Sequence, residues 1–187
     1  ENMKNHQGIS GRMFRAMGNN NVNVKAIAQG ASEKNITAVI ESKDIKKALN
    51  TLHEAFFEAQ IKKIHLFVTG IGNVGSKFLE QVHQQRNFLK EHFKLNLSVI
   101  GISNSRKMVF DSSGIDIENW KSRLETGKKA DKSLFFKQTK ALNMRNSIFV
   151  DNTANAVIAG TYMHYLKNNI GVVTCNKIAC ADELANY

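Results

Sequence analysis

Apolar positions in the first third of the chain recur at helical spacing, then alternate, then return to helical spacing. Met13, Phe14 and Met17 share one face of a helix that Gly18-Asn19-Asn20-Asn21 stops. Val22-Asn23-Val24-Lys25-Ala26-Ile27 alternates as a half-buried strand does, and Gly30-Ala31-Ser32 reads as a turn. The β-branched run Ile36-Thr37-Ala38-Val39-Ile40 predicts a second strand. From Asp44 onward Ile45, Ala48, Leu49, Leu52 and Phe56 lie on one face of a second helix. Helix, strand, strand, helix is the middle of a ferredoxin-like βαββαβ unit. Its first strand would precede Met3, and none is visible, so the unit is expected to be truncated.

Past Lys62 the rhythm becomes strand–helix alternation. A strand is predicted from Ile64 to Thr69, then a helix with Val74, Phe78, Leu79, Val82 and Leu89 on one stripe. Leu97 to Ile102 is the next strand. A long loop follows, with helices around Ile117 to Glu125 and Ser133 to Leu142. Ser147-Ile148-Phe149-Val150 is a strand ending at Asp151. Ala154, Val157, Ile158, Thr161, Tyr162, Tyr165 and Leu166 fit a single amphipathic helix, and Gly171-Val172-Val173-Thr174 is a last strand before Asn176-Lys177. Such alternation predicts an α/β fold, a Rossmann-like doubly wound parallel sheet with right-handed crossovers. The expected division is a small α+β unit over 1–59 and a parallel α/β unit over 60–187.

The chemistry collects just past the strands. Gly70-Ile71-Gly72-Asn73-Val74-Gly75 is a GxGxxG turn between a strand and a helix, the setting in which bare backbone at a helix N-terminus holds a pyrophosphate. After the next strand an acidic residue would bind ribose hydroxyls; this chain has Asn104 there, with Arg106 and Lys107 beside it. Cations without an acid favour a 2′-phosphate, hence NADP, with NAD not excluded. Asp151 is expected to cap the helix that follows it, and Asn152 and Thr153 to reach the cofactor. Lys177, after a buried strand, is the candidate catalytic cation, able to hold a carboxylate or polarise a carbonyl during hydride transfer; the plain alternative is a solvated lysine. In a parallel sheet these groups converge on one edge.

Composition narrows the partners. The 187 residues include 42% apolar residues, enough for a core, yet no run of about 18 apolar residues that would span a membrane. The first residues lack the apolar block of a signal peptide. The net charge of +10 comes from scattered lysines without aromatic interleaving, which argues against nucleic acid. Cys175 and Cys180 make no zinc pattern, and six histidines show no ligand spacing, so no metal site is expected. A catalytic thiol would lack a neighbouring base. Reduced cysteines point to the cytoplasm. Proline is absent altogether.

Several strings resemble known families. Val68-Thr69-Gly70-Ile71-Gly72-Asn73-Val74-Gly75, Gly101-Ile102-Ser103-Asn104-Ser105 and Glu118-Asn119-Trp120 resemble homoserine dehydrogenase. So do Val150-Asp151-Asn152-Thr153-Ala154 and Val172-Val173-Thr174-Cys175-Asn176-Lys177, where Cys175 replaces the family's usual proline. Val22 to Glu33 and Ile36 to Val39 resemble the ACT regulatory domain of an aspartate kinase. In this order the two units resemble the middle of a bifunctional aspartate kinase–homoserine dehydrogenase. The resemblance implies NAD(P)H-dependent interconversion of aspartate 4-semialdehyde and homoserine. It implies that Lys177 lies near the nicotinamide and substrate, and that Gly72, Asn73 and Val74 cradle the pyrophosphate, within a cofactor set of Gly70, Gly75, Asn104, Arg106, Lys107, Thr153 and Asn176. It also implies threonine as effector at Asn23 and Gln29, and a homo-oligomer. By the same resemblance the kinase part lies upstream and the substrate-binding part downstream, so the piece alone is expected to be inactive. The competing reading is a non-catalytic nucleotide- or amino-acid-sensing module, although such sensors usually place the small domain last and carry the ribose acid.

Overall fold

Met13 and Met17, buried on one face, anchor a helix that runs over Ile9–Asn19 (α1). The first strand is Val24–Gln29 (β1), two residues later than its alternation suggests; Val22 sits in the core at the helix exit instead. It pairs antiparallel with Ile36–Ile40 (β2), and a helix over Ile45–Phe56 (α2) follows a short 3-10 turn. The computed structural model describes residues 7–30, 35–57 and 61–181, so the predicted turn at Ala31-Ser32 and the joint at 58–60 lie outside the described residues. Met13, Met17, Val22 and Ala48 form the centre of this unit, flanked by Val24, Ile36, Ala38, Ile40, Leu52 and Phe56. The face predicted for α2 is corrected. Ala48 and Thr51 are buried, while Ile45 and Leu49 stay 48% and 62% exposed, because a two-stranded sheet covers only one flank of the helix.

The chain divides into two compact units at 60/61. In the second, the strands are Lys62–Thr69 (β3), Leu95–Ser103 (β4), Lys107–Phe110 (β5), Lys128–Lys129 (β6), Ser147–Asp151 (β7) and Gly171–Thr174 (β8). They form one sheet in the order β6-β5-β4-β3-β7-β8. β4, β3, β7 and β8 are parallel; β5 and β6 add an antiparallel edge. That edge replaces part of the predicted long loop. Four residues at Lys107–Phe110 and two at Lys128-Lys129 are too short to be read as strands; β5 forms by pairing to β4, and β6 by pairing to β5.

Period-two alternation sends Leu66 and Val68 to one face and Phe67 to the other. The first face meets Leu79 and Val82 of the helix Asn73–His92 (α3) and Leu124 of Trp120–Glu125 (α4). The second meets Phe135 of Lys132–Leu142 (α5), Tyr162 and Tyr165. On that second face Phe149 and Tyr165 stack with centroids 4.0 Å apart and planes 7° off parallel. Val74 leaves its predicted stripe and is 56% exposed in the first turn of α3.

The single helix expected over Ala154 to Leu166 is two: Ala156–Ala159 (α6) and Tyr162–Leu166 (α7). Between them Thr161 turns its hydroxyl onto the Ile158 carbonyl at 2.7 Å, while the Thr161 N–H bonds the same carbonyl at i−3. Hydroxyl and tight-turn bonds together displace the helical ladder. Asp151 does not cap α6; Asn155 does, accepting the Val157 N–H at 2.8 Å.

Candidate functional site

Register brings the four parallel strand ends together. Thr69 stands opposite Ser103 of β4 and Asp151 of β7, and Asp151 opposite Thr174 of β8. The Gly70 N–H donates to Ser103 O at 2.9 Å, the Asn152 N–H to Thr69 O at 2.9 Å, and the Cys175 N–H to Asp151 O at 3.1 Å. The segments after β3, β4, β7 and β8 are therefore one contiguous edge, which spacing alone could only suggest.

The three glycines of the turn divide the work. Gly70 sits at φ +89°, and a Cβ there would stand 2.6 Å from Thr153 Cγ2 and 2.8 Å from the Asn152 carbonyl carbon. Gly75 is buried, and its Cβ would stand 2.1 Å from Gly70 O. Gly72 has open space around it and an ordinary negative φ of −98°. It is the N-cap of α3, a helix of 20 residues whose first ladder bond is Ser76 N–H to Gly72 O at 2.9 Å. The N–H groups of Asn73, Val74 and Gly75 thus have no acceptor within the helix, and the positive end of its dipole faces the opening. One more donor lies close by. Asn152 Nδ2 is buried without a partner, 3.4 Å from where a Gly75 Cβ would be, while its Oδ1 faces the Cys175 thiol at 3.9 Å. A buried unpaired amide donor beside an open backbone cradle fits the diphosphate of a dinucleotide.

After β4 the Asn104 side chain turns into its own loop, its Oδ1 accepting the N–H of Arg106 at 2.8 Å and of Lys107 at 2.7 Å. Its role in the structure is to shape this loop. Arg106 is exposed, and Lys107 Nζ donates to Gly127 O at 3.2 Å. The β5–β6 pairing sets Lys129 directly opposite Lys107, and the Ala130 N–H meets Arg106 O at 2.9 Å. Like charges opposed across an antiparallel pair repel unless an anion joins them. Lys129 was not legible as a site residue, since only the hairpin brings it there. Beside this loop a cavity of about 190 Å³ opens, lined in part by Ser103, Asn104, Ser105, Asp131, Lys132 and Thr161. Its far wall comes from α5 and α7, which no local signal ties to the strand ends.

At the other end of the edge Asp151 is fully buried. Its Oδ1 accepts the Thr153 N–H at 2.8 Å, and its Oδ2 accepts the Tyr162 hydroxyl at 2.5 Å and Asn176 Nδ2 at 3.1 Å. Burial, and then the bond to Asp151, push the Tyr162 phenol well above its ordinary range; burial does the same to Tyr165. Asn176 is 3% exposed, its amide engaged with Asp151 and Asn155 O. Lys177 is exposed. At the small unit, Asn23 precedes β1 and Gln29 ends it, so about 20 Å of strand separates them. The structure does not bring that pair together; Gln29 Oε1 accepts instead from Ser10 Oγ at 3.3 Å.

Glycine turn, open helix N-terminus and strand-end crevice define a dinucleotide-binding domain of Rossmann type. Residues 70–187 match the family model of the homoserine dehydrogenase NAD-binding domain, and residues 1–56 match the ACT domain. The chain belongs to the homoserine dehydrogenase NAD-binding domain family. Over its whole length it is similar to bifunctional aspartokinase/homoserine dehydrogenase 1, chloroplastic, of Arabidopsis thaliana at 39% identity, covering 21% of that protein. It is similar likewise to the bifunctional aspartokinase/homoserine dehydrogenase of Haemophilus influenzae at 35% identity, covering 23%. The chain thus spans about a fifth of the length of these relatives. Among solved structures, the homoserine dehydrogenase of Thermoplasma acidophilum aligns over 67% of this chain and 39% of its own at 20% identity and a TM-score of 0.51. A hyperthermophilic archaeal homoserine dehydrogenase mutant in complex with NADPH aligns over 63% of this chain and 37% of its own at 21% identity and a TM-score of 0.51. At that identity the likeness is one of fold. Among the described residues no helix is long and apolar enough to cross a membrane.

Proposed function

We propose that this chain supplies the cofactor half of a homoserine dehydrogenase, interconverting aspartate 4-semialdehyde and homoserine, joined to a threonine-responsive ACT unit. The observation that carries the reading is the cradle at the N-terminus of α3: open space at Gly72, free N–H groups at residues 73–75 and the unpaired Asn152 amide. When bound, the nicotinamide cofactor gives or takes the hydride. Gly72, Asn73 and Val74 hold its diphosphate, Gly70 and Gly75 hold the turn, and Thr153 closes one wall. Lys177 stands beyond β8, its ammonium without a partner among the described residues, placed to attract the carboxylate or carbonyl oxygen of a small substrate. Asn176 fixes the backbone beside it.

NADPH is the preferred cofactor in this reading. Arg106, Lys107 and Lys129 collect cations where an acid would otherwise bind the ribose, and Asn104 presents their loop. Titration of the chain with NADPH and NADH tests it. Arg106→Ala is expected to weaken NADPH binding about tenfold, the loss of one charge-assisted contact, and to leave NADH binding unchanged. Equal losses for both cofactors would overturn the phosphate role.

The effector assigned to the ACT unit is threonine, and the working form is a homo-oligomer. The cytoplasm is the compartment this reading assigns, in keeping with two exposed free cysteines.

A further inference from the structure

We propose that Asp151 is a positioning residue for Lys177: its buried carboxylate and the Asn176 amide form a clamp that sets where the lysine stands on the cofactor edge. The inference rests on the cofactor reading of that edge and adds the part that holds its cation in place.

A carboxylate at 0% exposure is costly to keep unless its lone pairs are met. Those of Asp151 are met from three segments. The Thr153 N–H comes from the turn before α6, the Tyr162 hydroxyl from α7, and Asn176 Nδ2 from the chain leaving β8. Capping a four-residue helix requires none of this, and Asn155 already does that work. The polar groups of Asn176 are then all engaged, its carbonyl accepting from Thr174 Oγ1 at 3.5 Å. Its second amide hydrogen goes to Asn155 O at 3.1 Å, its Oδ1 accepts the Ile178 N–H at 3.2 Å, and its own N–H meets Thr174 Oγ1 at 2.8 Å. On the upstream side Cys175 N–H is tied to Asp151 O at 3.1 Å. Thr174 Oγ1 closes the loop against the Tyr162 oxygen at 2.7 Å.

The consequence falls on one residue. The backbone on both sides of Lys177 is held through contacts that lead to Asp151, while the Lys177 side chain is exposed and bonds nothing among the described residues. A rigid mount beneath a free ammonium is what positioning a charge for an incoming ligand requires.

Hydrogen exchange of the amides of residues 175–178, followed by mass spectrometry on the whole chain without cofactor, tests the clamp. Asp151→Asn and Asn176→Ala are expected to speed exchange there about tenfold, with β3 and α3 keeping their protection. The rate of Lys177 acetylation, read at one fixed pH, is expected to change in both. Tyr162→Phe removes one donor, keeps the Asn176 tie and is expected to give a smaller change of the same kind; it decides the matter if Asp151→Asn does not fold. Unchanged exchange at 175–178 in the folded variants overturns the proposal. So does an equal rise across the whole domain, which marks a merely structural role. In the unsubstituted chain, protection of Lys177 from acetylation by NADPH tests the cofactor reading separately, so either idea can fail alone.

Discussion

A single methyl group separates the two kinds of glycine in the turn after β3. At Gly72 it would meet open space, so Gly72→Ala is expected to melt like the unsubstituted chain yet lose NADPH binding, because the methyl occupies the diphosphate's approach. At Gly75 it would lie 2.1 Å from Gly70 O, so Gly75→Ala is expected to lower the melting temperature by circular dichroism as well. Equal melting of both would sink the division of roles. The phenols make a second prediction at this scale. Tyr162 and Tyr165 hold their protons above the ordinary tyrosine value of 10.0, chiefly through burial. Past about pH 10 the unfolded chain releases protons that the folded chain keeps, so stability falls as pH rises. Urea midpoints measured from pH 8 to pH 11 should decline, and Tyr162→Phe should flatten the slope. GxGxxG, Asn104, Arg106 and Lys177 could be singled out from the chain because each follows a strand signal. Asn152's orphaned amide could not, since being unpaired is a property of neighbours that are remote in sequence.

Elements with one strong rhythm were legible: β3, β4, β7, β8, α1 and α5 lie close to where their apolar spacing puts them. Elements made by pairing were not. β5 is a strand because β4 offers it an edge, β6 because β5 then offers one in turn, and the lysines of β6 argue locally for a loop. The helix after β7 shows the opposite failure. Its apolar spacing is continuous, but the Thr161 hydroxyl and tight-turn bonds break the ladder, and the break turns Tyr162 toward Asp151. The second-face core depends on these short elements. Phe149 of β7 is 1% exposed and stacked on Tyr165 of α7, so Phe149→Ala is expected to destabilise the unit by about 3–5 kcal/mol in urea unfolding. A cost below about 1 kcal/mol would mean that α7 does not bear on the sheet.

The whole molecule is two units, each with its own buried cluster. Cofactor binding is expected to belong to the second alone. Residues 61–187 expressed by themselves should bind NADPH with the affinity of the full chain, read by quenching of Trp120 fluorescence or by calorimetry. A tenfold weaker affinity would show that the first unit takes part. The sequence by itself determined the number of units, the strand–helix alternation of the second, and the glycine turn with its neighbouring cations, because periodicity, turn chemistry and short motifs are local properties. Only the tertiary structure decided which strand ends share an edge, that Lys129 faces Lys107, that Gly72 is open while Gly75 is closed, and that Asp151 holds the ground beneath Lys177. Those facts arise from sheet register and helix packing, where residues far apart in the chain set each other's positions.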